Sequence, residues 1–245
     1  MIRREAEQGW LVVPQPAHAL HAALLVAHWA GTSAFPRPEP WYEVLIAISQ
    51  HDIGWVEWER APRISPDGWP RNFTELDLED HLAIWQRGVR WALVQSPFLA
   101  YMVSRHATTL YEHRRDEDTR VAAFLEEQRR VQEHLAARLP HPPAALDEAY
   151  RLLRLADWFS LALCMERYRS GPVQLGVGPG GQRLELVPLP NGQLTVTPWP
   201  FNTDRVRTHV TAYRLQRRSF SGDAELRRAL EGAETVILRW ELSRG

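Results

Sequence analysis

The chain has 245 residues, of which 44% are hydrophobic and 24% are charged, and this ordinary globular composition excludes a disordered or fibrous protein. Basic and acidic residues number 29 and 30, for a formal charge of −1, so the basic excess typical of a nucleic-acid binder is absent. A single cysteine, Cys164, excludes an internal disulfide and a cysteine-rich zinc site.

All 29 basic residues are arginine, which excludes a Walker P-loop, a Schiff-base lysine and a lysine general base. No apolar run is long enough to span a membrane, and the opening residues lack the apolar core of a signal peptide. We therefore expect a cytoplasmic protein that does not bind a membrane.

Helical periodicity dominates the chain up to Gly171. After a short strand at 10–13, the pattern predicts six helices, at residues 17–30, 41–52, 77–94, 98–112, 118–139 and 144–167. Asp77 and Ser96 are the predicted caps of the third and fourth helices. The stretch 152–165 is apolar on nearly every side, which predicts a central buried helix.

Beyond Gly171, alternating patterns predict strands at 183–187, 193–197, 205–220 and 235–242, with a short helix at 221–230. Asn191-Gly192 is a strong hairpin signal between the first two strands. We therefore predict a mainly α fold, with a helical bundle over residues 1–170 and a small strand-rich α+β appendage over 171–245. The strand at 10–13 is a candidate to join that appendage.

Five of the predicted helices each place a candidate metal ligand on an inner or apolar face. These residues are His18, the adjacent pair His51-Asp52, His81, His106 and Asp157. Imidazole and carboxylate suit divalent zinc, manganese or iron. Since packing fixes the inward positions of helices, such side chains can be aimed at one point.

Asp157 is the most informative of these positions because its neighbours along the predicted helix are hydrophobic. An ionised carboxylate buried there requires a cation or strong donors to compensate it. A metal is one such cation, and a salt bridge to Arg154 or Arg105 is the alternative. The other positions also have ordinary explanations, namely a capped surface pair for 51–52, a surface residue for 81 and a core histidine for 106.

The order His, His-Asp, His, His, Asp on successive helices resembles the HD superfamily of metal-dependent phosphohydrolases. Within it the chain is similar to a bacterial family of unknown function, through Gln15-Pro-Ala-His18, His51-Asp-Ile-Gly-Trp55, Ser104-Arg-His106 and Pro198-Trp-Pro-Phe201. The superfamily resemblance covers about residues 10–168. It implies an HD-type helical bundle and a cofactor of one or two divalent ions, which would be Mn, Fe or Zn.

The resemblance also implies roles for the candidate residues. A first ion would be held by His18, His51, Asp52 and Asp157, and a second, bridged by Asp52, by His81 and His106. Asp52 would orient a hydroxide that attacks a phosphoester, and Arg105 would neutralise a phosphate. The implied partner is a phosphorylated small molecule or a nucleotide, with the oligomeric state unknown. A cyclic dinucleotide is not predicted, because the branches that cleave one carry a lysine where this chain has Trp55.

Two other functions fit the same residues. Six ligands, with 25 residues between His81 and His106, also resemble the HD-type mixed-valent di-iron oxygenases, although the lysine that usually anchors their substrate is missing. The third possibility is a non-catalytic HD-like scaffold that binds a ligand or partner through its strand-rich region.

Overall fold

A computed structural model describes residues 1–190 and 192–245 of the chain. Within these residues the helices are α1 (Gln15–Val26), α2 (Trp41–Gln50), α3 (Trp55–Arg60), α4 (Leu78–Gln95), α5 (Pro97–Tyr111), α6 (Thr119–Ala136), α7 (Pro143–Cys164) and α8 (Asp223–Glu231). The strands are β1 (Ile2–Glu5), β2 (Trp10–Val13), β3 (Val173–Val177), β4 (Arg183–Pro188), β5 (Leu194–Thr197), β6 (Arg205–Leu215) and β7 (Glu234–Ser243).

Local sequence signals set several of the helix ends. The Ser96 side chain accepts hydrogen bonds from two backbone amides of the first turn of α5, which Pro97 opens. Asp118 caps α6 in the same way. Asp77, the predicted cap of α4, makes no capping hydrogen bond, and its carboxylate lies 3.2 Å from the guanidinium of Arg71 instead.

The described strands form one seven-stranded sheet in the order β1-β2-β6-β7-β5-β4-β3. Neighbouring strands are antiparallel except β5 and β7, which are parallel. The longest pairing joins β6 to β7, from Arg205 opposite Ser243 to Arg214 opposite Glu234. Because β2 pairs with β6, strands from both ends of the chain meet in the same sheet.

The predicted mainly α fold with a small strand-rich appendage is wrong. The protein has an α+β fold in which a large mixed sheet accompanies the helices. Two of the strands that enlarge the sheet carry weak sequence signals: β1 (Ile-Arg-Arg-Glu) has one apolar residue, and β3 contains Gly176 at an irregularity in its pairing. The HD-type bundle predicted for residues 1–170 is likewise not what the structure contains.

The main core lies between the helices and the sheet. As its composition predicts, α7 is largely buried, and it packs against α1, α2, α5 and β3. Its Leu152 and Leu153 belong to the same apolar cluster as Leu186 of β4 and Val206 of β6. Since α1 also packs on β6, the sheet fixes the positions of the two helices that carry His18 and Asp157.

The predicted hairpin turn, the expected lack of a membrane-spanning segment and the predicted domain boundary can be compared with the structure only in part. The predicted hairpin turn at Asn191-Gly192 includes residue 191, which lies outside the described residues, while β4 and β5 on either side of it pair antiparallel. None of the described helices is long and apolar enough to cross a membrane. The division of the chain at residues 170 and 171 stays a prediction.

Candidate metal centre

His18 of α1, His51 at the end of α2 and Asp157 of α7 bring one ligand atom each to within 4.8 Å of one another. The His18 Nε2 atom lies 3.0 Å from Asp157 Oδ1, and His51 Nε2 lies 3.4 Å from the same oxygen. Both imidazoles are fully buried, whereas the Asp157 side chain is 13% exposed. These three residues, called the trio below, can hold a metal ion.

Gly54 explains how the chain turns so tightly after the His51-Asp52 pair. A Cβ atom at this position would lie 2.1 Å from the carbonyl oxygen of Ile84 and 2.9 Å from the backbone nitrogen of Gly88. Because only a glycine lets the two backbones approach so closely, residue 54 fixes the turn against α4. Gly54 is therefore required by packing in this chain.

Hydrogen bonds to Ser160 determine which nitrogen of His18 faces the trio. The Ser160 hydroxyl donates to the backbone carbonyl of His18 at 3.0 Å. Its single proton is then used, so it accepts at 2.8 Å from Nδ1 of His18 and at 2.8 Å from Nδ1 of His21. His18 therefore carries a proton on Nδ1, which leaves Nε2 as the ring nitrogen that faces Asp157, at 3.0 Å.

His51 is oriented in the same way by a different acceptor. Its Nδ1 donates to the carbonyl oxygen of Ile48 at 2.7 Å, while its buried Nε2 has no hydrogen-bond partner among the described residues. Two imidazole nitrogens and a carboxylate oxygen thus face one another, and when all three are deprotonated they repel unless a cation lies among them. A donor set of two imidazoles and a carboxylate suits a divalent transition metal.

The pKa of His51 points to the same need for positive charge. Burial alone would lower the pKa of His51, but the nearby carboxylates of Asp52 and Asp157 outweigh it and raise the pKa to about 9. Burial would raise the pKa of Asp157, but the adjacent imidazoles of His18 and His51 hold it well below its ordinary value. Without a metal, a proton on His51 supplies the cation.

Asp52 and His106, both predicted ligands, flank the trio. The Asp52 Oδ2 atom lies 3.5 Å from His51 Nε2 and 3.8 Å from His18 Nε2, and burial raises the pKa of this carboxyl. His106 Nε2 lies 3.5 Å from Asp157 Oδ2. Burial lowers the pKa of His106 to about 3, so this imidazole is neutral near pH 7.

His81 is not brought to the trio. One of its ring nitrogens hydrogen-bonds the Tyr111 hydroxyl, and the other accounts for a 2.8 Å contact with the carbonyl oxygen of Phe73. Burial lowers the pKa of His81. With both nitrogens engaged elsewhere, the predicted second site formed by His81 and His106 is not assembled, and the trio provides ligands for one ion.

Arg105, the predicted phosphate partner, lies in a pocket beside the trio. Its guanidinium is 2.6 Å from Asp147 Oδ1 and lies over the ring of Tyr150. The pocket has a volume of about 850 Å³ and is also lined by Arg151, Arg154 and Arg183. Its proximity to the trio follows from Tyr150, whose ring centroid is 6.2 Å from that of His106.

The alternative explanation of Asp157, a salt bridge to Arg154 or Arg105, is wrong. Among the described residues, the ion-pair partners of Asp157 are imidazoles. Sequence reasoning missed Ser160, because a small polar residue inside an apolar helix gives no periodic signal. It also missed the arginine-lined pocket, since Arg183 comes from β4 and meets α7 only in the folded chain.

Comparison with known proteins gives one match. Residues 1–217 match the profile of a family described as "Protein of unknown function (DUF3891)". This match overturns the resemblance to the HD superfamily, which receives no support. No curated protein and no solved structure matches the chain.

Proposed function

The chain belongs to the DUF3891 family, and we propose from its site that it is a metal-dependent phosphohydrolase acting on a phosphorylated small molecule. The observation that carries the proposal is the convergence of the trio, in which two buried imidazoles and a carboxylate bring one ligand atom each to within 4.8 Å of one another. The proposed cofactor is a single Mn, Fe or Zn ion held by His18, His51 and Asp157.

A divalent ion bound there would polarise a phosphoryl oxygen and lower the pKa of a coordinated water. The residues around it have separate tasks. Asp52 would take a proton from the attacking water, and burial raises the pKa of its carboxyl, which favours general-base catalysis. Ser160 and the Ile48 carbonyl hold the two imidazoles in the ligand tautomer.

The protein's charge distribution favours a phosphorylated substrate. Arg105, Arg151, Arg154 and Arg183 line the pocket beside the trio, while Asp147 is the acidic residue among those lining it. Guanidinium groups bind phosphate oxygens through paired hydrogen bonds. These four arginines, called the arginine wall below, therefore lie next to the candidate metal centre. An anion-binding group beside a metal ion suits the hydrolysis of a phosphoester.

The test is a metal-reconstitution experiment. Protein dialysed against EDTA and reloaded with Mn²⁺, Fe²⁺ or Zn²⁺ is assayed on a panel of phosphomonoesters and nucleotides. We expect turnover only after reloading, and a loss in Asp157→Asn larger than the 10–100-fold that a second-shell change costs. The exposed Asp116→Asn is the matched control. No bound metal and no metal-stimulated turnover would remove the proposal.

A further inference from the structure

The pocket beside the trio contains two exposed arginines, Arg154 and Arg183, whose guanidiniums have no ion-pair partner among the described residues. Arg105 pairs with Asp147 at 2.6 Å, and Arg151 pairs with Glu148 at 3.3 Å. The guanidiniums of Arg154 and Arg183, by contrast, make no ion pair or hydrogen bond with a described residue. Like charges brought together on one wall repel, so an anion that bridges them is favoured.

The pocket is also larger than one phosphoryl group requires. Its volume of about 850 Å³ lies in the upper part of the range for small-molecule sites, about 300–1,000 Å³. Four arginines line it, namely Arg105, Arg151, Arg154 and Arg183. The wall can therefore contact several anionic oxygens at once.

The pocket and the trio are joined through α7. Arg154 precedes Asp157 by three residues, less than one turn of helix, and Tyr150 contacts both Arg105 and His106. The pocket and the trio are therefore neighbours that share α7 and the ring of Tyr150.

We infer that the substrate is a phosphoester that carries at least two phosphoryl groups, one presented to the trio and the other held by Arg154 and Arg183. The identification of this ligand as the substrate rests on the proposed hydrolase function, whereas the anion site itself does not. A simple phosphomonoester at the trio would leave the guanidiniums of Arg154 and Arg183 without an anionic partner and would bind more weakly.

The test measures binding without metal or turnover. Protein dialysed against EDTA is titrated calorimetrically with tripolyphosphate and with orthophosphate at constant ionic strength. We expect tripolyphosphate to bind at least about tenfold more tightly than orthophosphate, and Arg154→Gln/Arg183→Gln to lose at least about tenfold of that affinity.

Arg130→Gln/Arg138→Gln, which removes two exposed charges outside the pocket, is the matched control and should retain wild-type affinity. Equal binding of the two anions, or equal losses in the two double variants, would overturn the inference, because either result describes general attraction to a charged surface. Tripolyphosphate binding without metal-dependent turnover would leave the anion site intact and refute the hydrolase, so the two failures are distinguishable.

Discussion

At the scale of single residues, the chemistry depends on which ring nitrogen of His18 and of His51 faces Asp157. His18 and His51 each use Nδ1 in a hydrogen bond to a fixed acceptor, so that both Nε2 atoms face the Asp157 carboxylate. The sequence identified these three residues because a carboxylate inside an apolar helix needs a cation or strong donors, and because histidines on the inner faces of helices can bind such a cation. It could not identify Ser160, whose role depends on contacts across 142 residues of chain.

Metal affinity should depend on pH through His51. Its pKa is raised to about 9 in the metal-free protein, so the imidazole is protonated below that pH and the proton must leave when a metal binds. We expect the apparent association constant for Zn²⁺ to rise about tenfold per pH unit between about pH 7 and 9, with release of about one proton. Calorimetry in buffers of different ionisation enthalpy measures both, and a constant affinity across this range would contradict the assignment.

Ser160 should affect the affinity for a metal without binding the metal itself. Ser160→Ala removes the acceptor for the Nδ1 protons of His18 and His21, so the rings lose their fixed orientation. We expect Zn²⁺ to bind about 10–100-fold more weakly, as for other second-shell changes. The exposed Ser33→Ala serves as the control, and a thermal melt of both variants checks folding. Unchanged affinity in folded Ser160→Ala would show that the hydroxyl does not position the ligands.

At the scale of elements, the helices and most of the strands were predictable because their signals are local. Hydrophobic periodicity predicted α5 and α6 to within a few residues, and Ser96 was correctly predicted as the cap of α5. The helix α3 was missed because it spans six residues directly after α2. The strand β1 was missed because two arginines and a glutamate follow its Ile2.

The close contact between the turn at Gly54 and α4 gives an element-scale prediction. Gly54→Ala would place a methyl group 2.1 Å from the Ile84 carbonyl oxygen, which forces the turn after His51-Asp52 away from α4. We expect the free energy of unfolding to fall by about 1–3 kcal/mol, as for other overpacked sites, and Zn²⁺ affinity to fall with it.

Chemical denaturation and metal titration measure these two effects. Gly222→Ala is the control, because a Cβ atom there has no neighbour within 4 Å and the backbone is extended rather than left-handed. If the Gly54→Ala protein is as stable as the Gly222→Ala protein, the turn at residue 54 can accommodate a methyl group and the prediction is wrong.

At the scale of the whole molecule, the sheet was not predictable because its pairings are between distant parts of the chain. β2 pairs with β6 about 200 residues later, from Trp10 opposite Leu215 to Val12 opposite Tyr213. No periodicity within either strand specifies that partner. The strands at 183–187, 193–197, 205–220 and 235–242 were each predicted from their own sequence. Their pairing with β1 and β2 makes the predicted small appendage part of a large sheet on which α1 and α7 pack.

This arrangement predicts that residues 1–170 do not fold alone. Without β6 the strand β2 loses its inner neighbour, and α1 loses the sheet on which it packs. We expect the fragment to lack the dispersed NMR spectrum of a folded protein, and the full chain to unfold in one transition by circular dichroism and tryptophan fluorescence. A folded, metal-binding fragment would instead support the predicted boundary at residues 170 and 171.

The central claim, that the trio holds a single cation, is tested most directly by anomalous X-ray diffraction. Crystals grown with Zn²⁺ are measured above and below the zinc absorption edge. We expect one strong anomalous peak bounded by His18 Nε2, His51 Nε2 and an Asp157 carboxylate oxygen. This peak should be absent from crystals of His51→Ala and present in those of the exposed control His113→Ala. Zinc-containing crystals with no peak among these three atoms would contradict it.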